Sequence, residues 1–187
     1  MRLRIEIKVV ISTPSDAVKE RDILLNHLET RFKSIGYAEV CDKILSVVGW
    51  EVIPPQAGHP QNLINEALIK DADIIVAVFR HRLGTPIIEP KDGKIRALSG
   101  TVEELMKAFD IGKSQIAMAY FFEEPPRFTS EEIESEWKRL NEFKIDIRDR
   151  MIYRLYSSEE DLLNTVCLDI FRNIREMRLP LAIGALA

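Results

Sequence analysis

One stretch of the chain decides its fold: Ala72-Asp73-Ile74-Ile75-Val76-Ala77-Val78-Phe79, the most apolar run in the sequence. It predicts a strand buried on both faces, which is typical of the centre of a parallel sheet. Open parallel sheets bind ligands at the carboxyl ends of their strands. We therefore expect a site where the polar loop after this strand leads into a helix, at Ser99-Gly100-Thr101-Val102-Glu103-Glu104.

Strands and helices alternate on both sides of this run. Hydrophobic patterns predict further strands over residues 4–11, 48–53, 115–122 and 151–156. Helices are predicted over 14–35, 60–70 and 101–111. A fourth helix, capped by Thr129 or Ser130, is predicted to end near Arg148, and a last helix begins after Ser157 or Ser158. Segment 37–47 is expected to be irregular or an additional helix, and 80–98 to be a long loop, either functional or disordered. The alternation predicts an α/β fold with a doubly wound, five-stranded parallel sheet, a flavodoxin-like three-layer sandwich.

Capping residues and apolar stripes give these helices their expected ends and buried faces. Thr13 suits the N-cap of the first helix, with Pro14 at its first position, Asp16 near the positive end of its dipole and Gly36 as its C-cap. The predicted buried stripes are Leu24, Leu25, Leu28 and Phe32; Leu63, Ile64, Ala67 and Leu68; Val102, Leu105, Met106 and Phe109; and Leu162, Leu163, Val166, Ile170 and Ile174.

Length and composition are those of an ordinary globular domain. The 187 residues, 46% hydrophobic and 30% charged, predict a single domain over 1–178, followed at 179–187 by an apolar tail or the start of a linker to a further domain. A net charge of −4 gives no general attraction to nucleic acid or anionic membrane. The sequence shows no signal peptide and no apolar run long enough for a membrane span. Two distant cysteines, Cys41 and Cys167, favour a reducing cytoplasm.

Several common chemistries lack their sequence motifs. The first strand is followed by no Gly-x-Gly-x-x-Gly turn, and the chain has no Gly-Lys-Ser/Thr phosphate loop. His27, His59 and His81 form no zinc pattern, so no metal is expected. A Gly-x-Ser-x-Gly nucleophile elbow is also missing.

Four short motifs in order resemble a TIR-like domain family of formerly unknown function, often found N-terminal to NACHT or repeat modules. They are Ile11-Ser12-Thr13-Pro14-Ser15-Asp16, Asp71-Ala72-Asp73-Ile74-Ile75-Val76, Arg82-Leu83-Gly84-Thr85-Pro86 and Ser99-Gly100-Thr101-Val102-Glu103-Glu104. The wider superfamily includes TIR domains that cleave NAD and nucleoside deoxyribosyltransferases. Both carry a catalytic glutamate on the helix after the third strand. In the deoxyribosyltransferases, two residues separate this glutamate from a preceding Gly-Thr pair. The same spacing after Gly100-Thr101 implies that Glu104 is the corresponding residue here.

A single well-placed carboxylate can be sufficient for cleavage of the N-glycosidic bond of NAD. It can stabilise the positive charge at the anomeric carbon or attack that carbon. Nicotinamide leaves NAD as a neutral molecule, so no general acid is required. NAD would then be a substrate, and no cofactor is implied.

Glu104 also has a structural interpretation. Thr101-x-x-Glu104 is a capping box, in which the glutamate satisfies a backbone N–H at the helix start. On the helical wheel Glu103 lies nearer the buried edge, so Glu103 is the reserve candidate.

The substrate-binding candidates lie on the predicted edge of the sheet. They are Ser12, Thr13, Ser15, Trp50, Arg80, Arg82, Gly84, Ser99 and Thr101. The hydroxyls can bind ribose or phosphate, the arginines can neutralise a diphosphate, Trp50 can stack on a base, and Gly84 admits close backbone approach. Each residue also has a structural alternative: helix capping for the hydroxyls, solvent exposure for the arginines, core packing for Trp50 and turn formation for Gly84.

Three functions remain open at this point. The resemblance implies an NAD glycohydrolase acting as an effector in defence or death signalling, assembled as a homo-oligomer when active. A related enzyme can act on another nucleoside or nucleotide, as the deoxyribosyltransferases do. The third possibility is a non-catalytic signalling module that self-associates.

Overall fold

The computed structural model describes residues 5–35, 43–55, 57, 59–89, 93–110 and 115–176, with the backbone alone at 109, 110 and 176. A five-stranded parallel sheet forms its centre. The strands of this sheet are β1 (Ile5–Ser12), β2 (Lys43–Val48), β3 (Ile74–Phe79), β6 (Ile116–Phe122) and β7 (Arg154–Tyr156). Their order across the sheet is β2-β1-β3-β6-β7. The predicted doubly wound α/β fold is confirmed.

Within the described residues, five helices cover the two faces of the sheet. They are α1 (Val18–Ile35), α2 (Pro60–Ile64), α3 (Gly100–Asp110), α4 (Glu131–Ile147) and α5 (Glu159–Glu176), and α2 continues as one turn of π-helix, Asn65–Ile69. Helices α1 and α5 share one core cluster, whereas α2, α3 and α4 pack on the opposite face. Together with the sheet they form three layers.

The central strand β3 is buried on both faces, as predicted. All six of its residues are buried. Ile74, Val76 and Val78 face α1 and α5. Ile75 and Ala77 face the other layer. Because the chain leaves β1 toward β2 on one side and later returns to β3 on the other, the carboxyl ends of β1 and β3 flank the crevice where such folds bind ligands.

The second strand lies earlier in the chain than the sequence predicts. The sequence predicts this strand at residues 48–53. In the structure, β2 spans Lys43–Val48, and a 3₁₀ turn follows at Trp50–Val52. Its register with β1 runs from Ile5 opposite Lys43 to Val10 opposite Val48. β2 is a mostly half-buried edge strand containing Lys43 and Ser46, so it lacks the apolar run that marks β3. The structure thus corrects the prediction for 43–47, while 37–42 lie outside the described residues.

The first helix begins later than its capping pattern predicts. Helix α1 starts at Val18, and Pro14 belongs to a turn closed by a hydrogen bond from Ala17 N to Pro14 O. Asp16 instead accepts hydrogen bonds from the backbone N–H groups of His81 and Arg82. Thr13 therefore does not cap this helix, because the loop it belongs to is held against the end of β3. The predicted C-cap, Gly36, lies outside the described residues.

The connection from β3 to α3 contains a small hairpin, β4 (Ile87–Ile88) and β5 (Ile95–Ala97). Arg139 on α4 donates to the carbonyl oxygens of Gly84 and Leu98, at 3.2 and 2.9 Å. These bonds tie both ends of the connection to the same helix. Residues 80–98 therefore include an anchored, partly regular segment.

The predicted stripes are largely buried, with exceptions in the helices near the crevice. All five apolar stripe residues of α5 are buried. Ala67 is exposed, because the π-turn rotates the end of the second helix and buries Asn65 and Ile69 instead. Leu25, Leu63, Ile64 and Met106 are partly buried, and the side chain of Phe109 lies outside the described part. Ser130 and Ser158 are the caps of α4 and α5, accepting from the N–H groups of Ile133 and Asp161.

Candidate functional site

A cavity of about 260 Å³ opens at the carboxyl end of β1. Its walls come from β1 and the loop after it, the 3₁₀ turn after β2, α2 with its π-turn, the β3–α3 connection and the start of α3. This volume lies just below the range of about 300–1,000 Å³ for small-molecule sites. The lining residues are Val10, Ile11, Ser12, Thr13, Pro14, Ser15, Trp50, Gln61, Ile64, Leu68, Gly84, Thr85, Ile87, Ser99, Gly100, Thr101 and Glu104.

Glu104 is the one charged side chain among the described residues that line the cavity. It is 7% exposed, and its Oε1 accepts a 2.7 Å hydrogen bond from Gln61 Nε2. Burial raises the pKa of Glu104, while hydrogen bonds from the Ser12 hydroxyl and the Gln61 amide act in the opposite direction. The site therefore holds a buried carboxylate bonded by neutral donors.

The capping-box interpretation of Glu104 is wrong. Ser99 is the N-cap of α3, since its Oγ accepts from Val102 N at 3.2 Å and its carbonyl oxygen accepts from Glu103 N at 2.9 Å. The helix thus starts at Gly100, one residue earlier than predicted. Glu104 then lies beyond the first turn, and its carboxylate bonds across to α2.

The reserve candidate, Glu103, faces a different environment. Its carboxylate contacts Arg96 Nη2 at 3.0 Å and Lys107 Nζ at 2.9 Å, and accepts from Asn65 Nδ2 at 3.2 Å. Burial opposes ionisation of Glu103, but hydrogen bonds from Lys107 and Arg96 outweigh it and lower its pKa. Glu103 does not line the cavity.

Seven of the nine predicted substrate-binding residues line the same cavity as Glu104. They are Ser12, Thr13, Ser15, Trp50, Gly84, Ser99 and Thr101. The Oγ1 of Thr13 is buried and has no hydrogen-bond partner in the described part of the chain. Trp50 is 53% exposed, so it is a wall of the cavity rather than a core residue, and the guanidinium of Arg21 lies 5.8 Å from its ring centroid.

The two predicted arginines point elsewhere. Arg80 is bound to Glu20 on α1, and its Nη1 lies 3.6 Å from Oε1 of Glu159 on α5. Arg82 contacts Glu132 at 2.7 Å. Neither lines the cavity, and both guanidinium groups already face carboxylates. The geometry does not support their predicted role in neutralising a diphosphate in this cavity.

Two glycines let the walls of the cavity approach one another. Gly84 has φ +99°, a left-handed conformation that disfavours side chains, and a Cβ there would lie 3.2 Å from Ser99 Cβ. A Cβ on Gly100 would lie 2.4 Å from Gln61 Oε1. Gly100 therefore admits the Gln61 side chain against the start of α3.

Sequence reasoning missed Gln61, which bonds directly to Glu104. A signal for it exists in hindsight. Gln61 precedes Ile64, Asn65 and Leu68 by three, four and seven residues, so it lies on the same face of a helical pattern. Polar residues on such a face are candidates for buried hydrogen bonds, although the pattern does not identify their partners.

Comparison with known families matches residues 8–170 to the family described as Domain of unknown function (DUF4062). The chain belongs to this family. No curated protein matches the chain. The description of the DUF4062 family names no activity.

The described part of this DUF4062 member contains no group of three or more His, Cys, Asp or Glu side chains arranged to hold a metal ion. Across the same residues, none of the helices is sufficiently long and apolar to span a membrane. Cys167 is buried in the core beside α1, and burial raises the pKa of its thiol to about 11.

Proposed function

We propose that this domain cleaves the N-glycosidic bond of a nucleoside or nucleotide, with NAD as the expected substrate and Glu104 as the reacting carboxylate. The observation that carries the proposal is the buried Glu104 carboxylate in the wall of a cavity of about 260 Å³ at the edge of the sheet. Parallel α/β sheets bind ligands at this edge. A titratable group with a shifted pKa in a cleft is a recognised mark of functional sites.

The chemistry requires a carboxylate beside the anomeric carbon. The bond from C1′ to the base nitrogen breaks, and its electron pair leaves with the base. Glu104 either stabilises the resulting positive charge or forms an ester with C1′. Water then adds at C1′ and releases a proton. For NAD the products are nicotinamide, ADP-ribose and a proton.

The remaining lining suits a ribosyl group. Hydroxyls of Ser12, Thr13 and Thr101 lie around the same cavity and can exchange hydrogen bonds with ribose hydroxyls. The exposed ring of Trp50 offers a face for a base or nicotinamide. Apolar side chains such as Ile64 and Leu68 complete the walls.

One observation favours a second enzyme class. Among the described lining residues there is no arginine, lysine or histidine, so the cavity offers no cationic side chain to a phosphate. A nucleoside deoxyribosyltransferase-like enzyme, which handles an uncharged nucleoside, is therefore the alternative. It would pass the sugar to a second base instead of water.

We also propose a role in defence or death signalling, which the resemblance to TIR-like domains implies. TIR-type enzymes are often active only when clustered, because neighbouring subunits complete the site. We propose that this domain likewise works as a homo-oligomer, attached to further domains in a longer chain.

The test is to cluster the purified domain on beads, supply NAD or a panel of nucleosides and nucleotides, and measure the released base. Glu104→Gln should abolish release, while Glu103→Gln should retain it because Glu103 does not line the cavity. Thermal melting establishes that both variants are folded. Full turnover by Glu104→Gln, or no turnover of any compound by clustered wild-type protein, would refute the proposal.

A further inference from the structure

Two amide side chains on α2 and its π-turn each bond to one of the adjacent glutamates on α3. Gln61 Nε2 donates to Glu104 Oε1 at 2.7 Å, and Asn65 Nδ2 donates to Glu103 Oε1 at 3.2 Å. All four residues are at most 9% exposed. The two amides are four residues apart, which places them on the same side of a helix.

The hydrogen bond from Gln61 to Glu104 depends on the absence of a side chain at Gly100 in α3. A Cβ at this position would lie 2.4 Å from Gln61 Oε1 and 3.3 Å from its Cδ. That approach is closer than two non-bonded heavy atoms tolerate, so a side chain here would displace the amide. The start of α3 thus carries both the carboxylate and the space for the group that holds it.

We infer that Gln61 is a positioning residue, whose amide holds the Glu104 carboxylate at the cavity wall without supplying a counter-charge. Its catalytic meaning rests on the proposed function. A neutral donor fixes the direction of the carboxylate, yet leaves its negative charge available to a developing positive centre. Glu103 shows the contrast, since Arg96 and Lys107 already compensate its charge.

The role of Gln61 differs from that of a residue that only packs. A packing residue would be replaceable by an apolar side chain of similar shape, with little effect on Glu104. A positioning residue would not, because the carboxylate would lose the Gln61 amide and keep the Ser12 hydroxyl. The variants Gln61→Met and Gln61→Lys separate these roles: the first keeps the shape without the donor, and the second adds a cation.

The experiment measures kcat, KM and the Glu104 pKa in wild type and each variant, the pKa by NMR of ¹³C-carboxyl-labelled glutamate. Gln61→Met should raise the pKa of Glu104 and lower kcat roughly 10–100-fold, the scale of a misplaced reacting group, with a smaller change in KM. Gln61→Lys should lower that pKa. Gly100→Ala should reproduce Gln61→Met, because it displaces the same amide.

Asn65→Leu is the matched control. It removes the equivalent amide one turn away, beside Glu103, and should leave the titration of Glu104 and kcat at wild-type values. Thermal melting identifies any variant that fails to fold, and Gln61→Met and Gly100→Ala are independent routes to the same perturbation.

The outcomes distinguish the two proposals. An unchanged Glu104 pKa and kcat in folded Gln61→Met would overturn the positioning role. If Gln61→Met shifts the pKa while wild-type protein turns over no substrate, the proposed function fails and the control of Glu104 by Gln61 stands.

Discussion

Glu103 and Glu104 are adjacent in the sequence, yet among the described residues Glu103 is paired with cations and Glu104 is not. Glu103 contacts Arg96 and Lys107 at 3.0 and 2.9 Å, whereas Glu104 accepts from the neutral amide of Gln61 at 2.7 Å. The pKa of Glu103 is lowered by these cations, and the pKa of Glu104 is raised by burial. Glu103 therefore joins the β4–β5 hairpin to α3, while Glu104 lies in the wall of the cavity.

The raised pKa of Glu104 predicts the pH dependence of the reaction. A carboxylate that stabilises or attacks C1′ must be ionised, so kcat should rise with pH through a pKa above the ordinary glutamate value of about 4.3. The measurement is base release from pH 4 to 8 under saturating substrate. A rate that is highest at acid pH and falls through this range would contradict the assignment and indicate that protonated Glu104 acts as an acid.

Stability should respond to pH in opposite directions at the two glutamates. Because the folded pKa of Glu104 lies above the unfolded value, its contribution to the free energy of unfolding is fully present below the unfolded pKa. That contribution is lost as pH rises through the folded pKa. Glu104→Gln carries no such charge. Its stability relative to wild type should therefore increase from about pH 4 to neutrality, and remain within about 1–2 kcal/mol throughout.

Glu103→Gln provides the comparison. The folded pKa of Glu103 is depressed, so its stabilisation is present above the unfolded pKa and is lost as pH falls through the folded value. The variant should lose about 1 kcal/mol in the free energy of unfolding at neutral pH, and less in acid. The loss is small because Lys107 is partly exposed and its attraction to Glu103 is screened by solvent. Urea unfolding at several pH values measures both variants, and identical pH trends would contradict this account.

Gly84→Ala should destabilise the loop that lines the cavity. The residue has φ +99°, and the new Cβ would lie 3.2 Å from Ser99 Cβ and 3.7 Å from Pro14 Cβ. We expect a loss of about 1–2 kcal/mol or more in the free energy of unfolding. Gly93→Ala is the control, because Gly93 also has a positive φ but no atoms within 4 Å of the added Cβ. An equal or larger loss for Gly93→Ala would show that contact with Ser99 is unimportant.

The buried Glu20 should matter far more than an exposed ion pair. Glu20 is fully buried, is bound by Arg80, and accepts a 3.1 Å hydrogen bond from Tyr156 Oη. Glu20→Gln should cost about 2–4 kcal/mol, because it breaks a buried pair while Arg80 retains a longer contact with Glu159. Glu160→Gln breaks the exposed pair with Arg31 and should cost no more than about 1 kcal/mol. Chemical denaturation compares the two, and similar losses would argue against a structural role for Glu20.

Local patterns predict those parts of the fold whose burial is continuous along the chain. The run at 72–79 identifies the central strand, and the stripe Leu162, Leu163, Val166, Ile170 and Ile174 identifies the buried face of α5. Local patterns fail to predict elements that are only partly buried. β2 is half-buried at the sheet edge, so its position follows from pairing with β1 rather than from its own pattern.

Capping patterns fail for a related reason. Thr13-Pro14 has the composition of a helix start, but the carboxylate of Asp16 binds the backbone at His81 and Arg82, and α1 begins later. A long-range hydrogen bond therefore overrides a local preference. Likewise, Ser99 rather than Thr101 caps α3, which frees Glu104 for Gln61.

The resemblance to TIR-like domains implied Glu104 as the candidate glutamate, whereas the sequence by itself determined the α/β alternation and the central strand. It did so because hydrophobic periodicity and turn chemistry act over short distances along the backbone. Only the tertiary structure decided that Glu104 enters the cavity, that Arg80 and Arg82 turn away from it, and that Gln61 reaches the carboxylate. The physical reason is that the partner of a buried polar group is supplied by whichever element packs against it, often from a distant part of the chain.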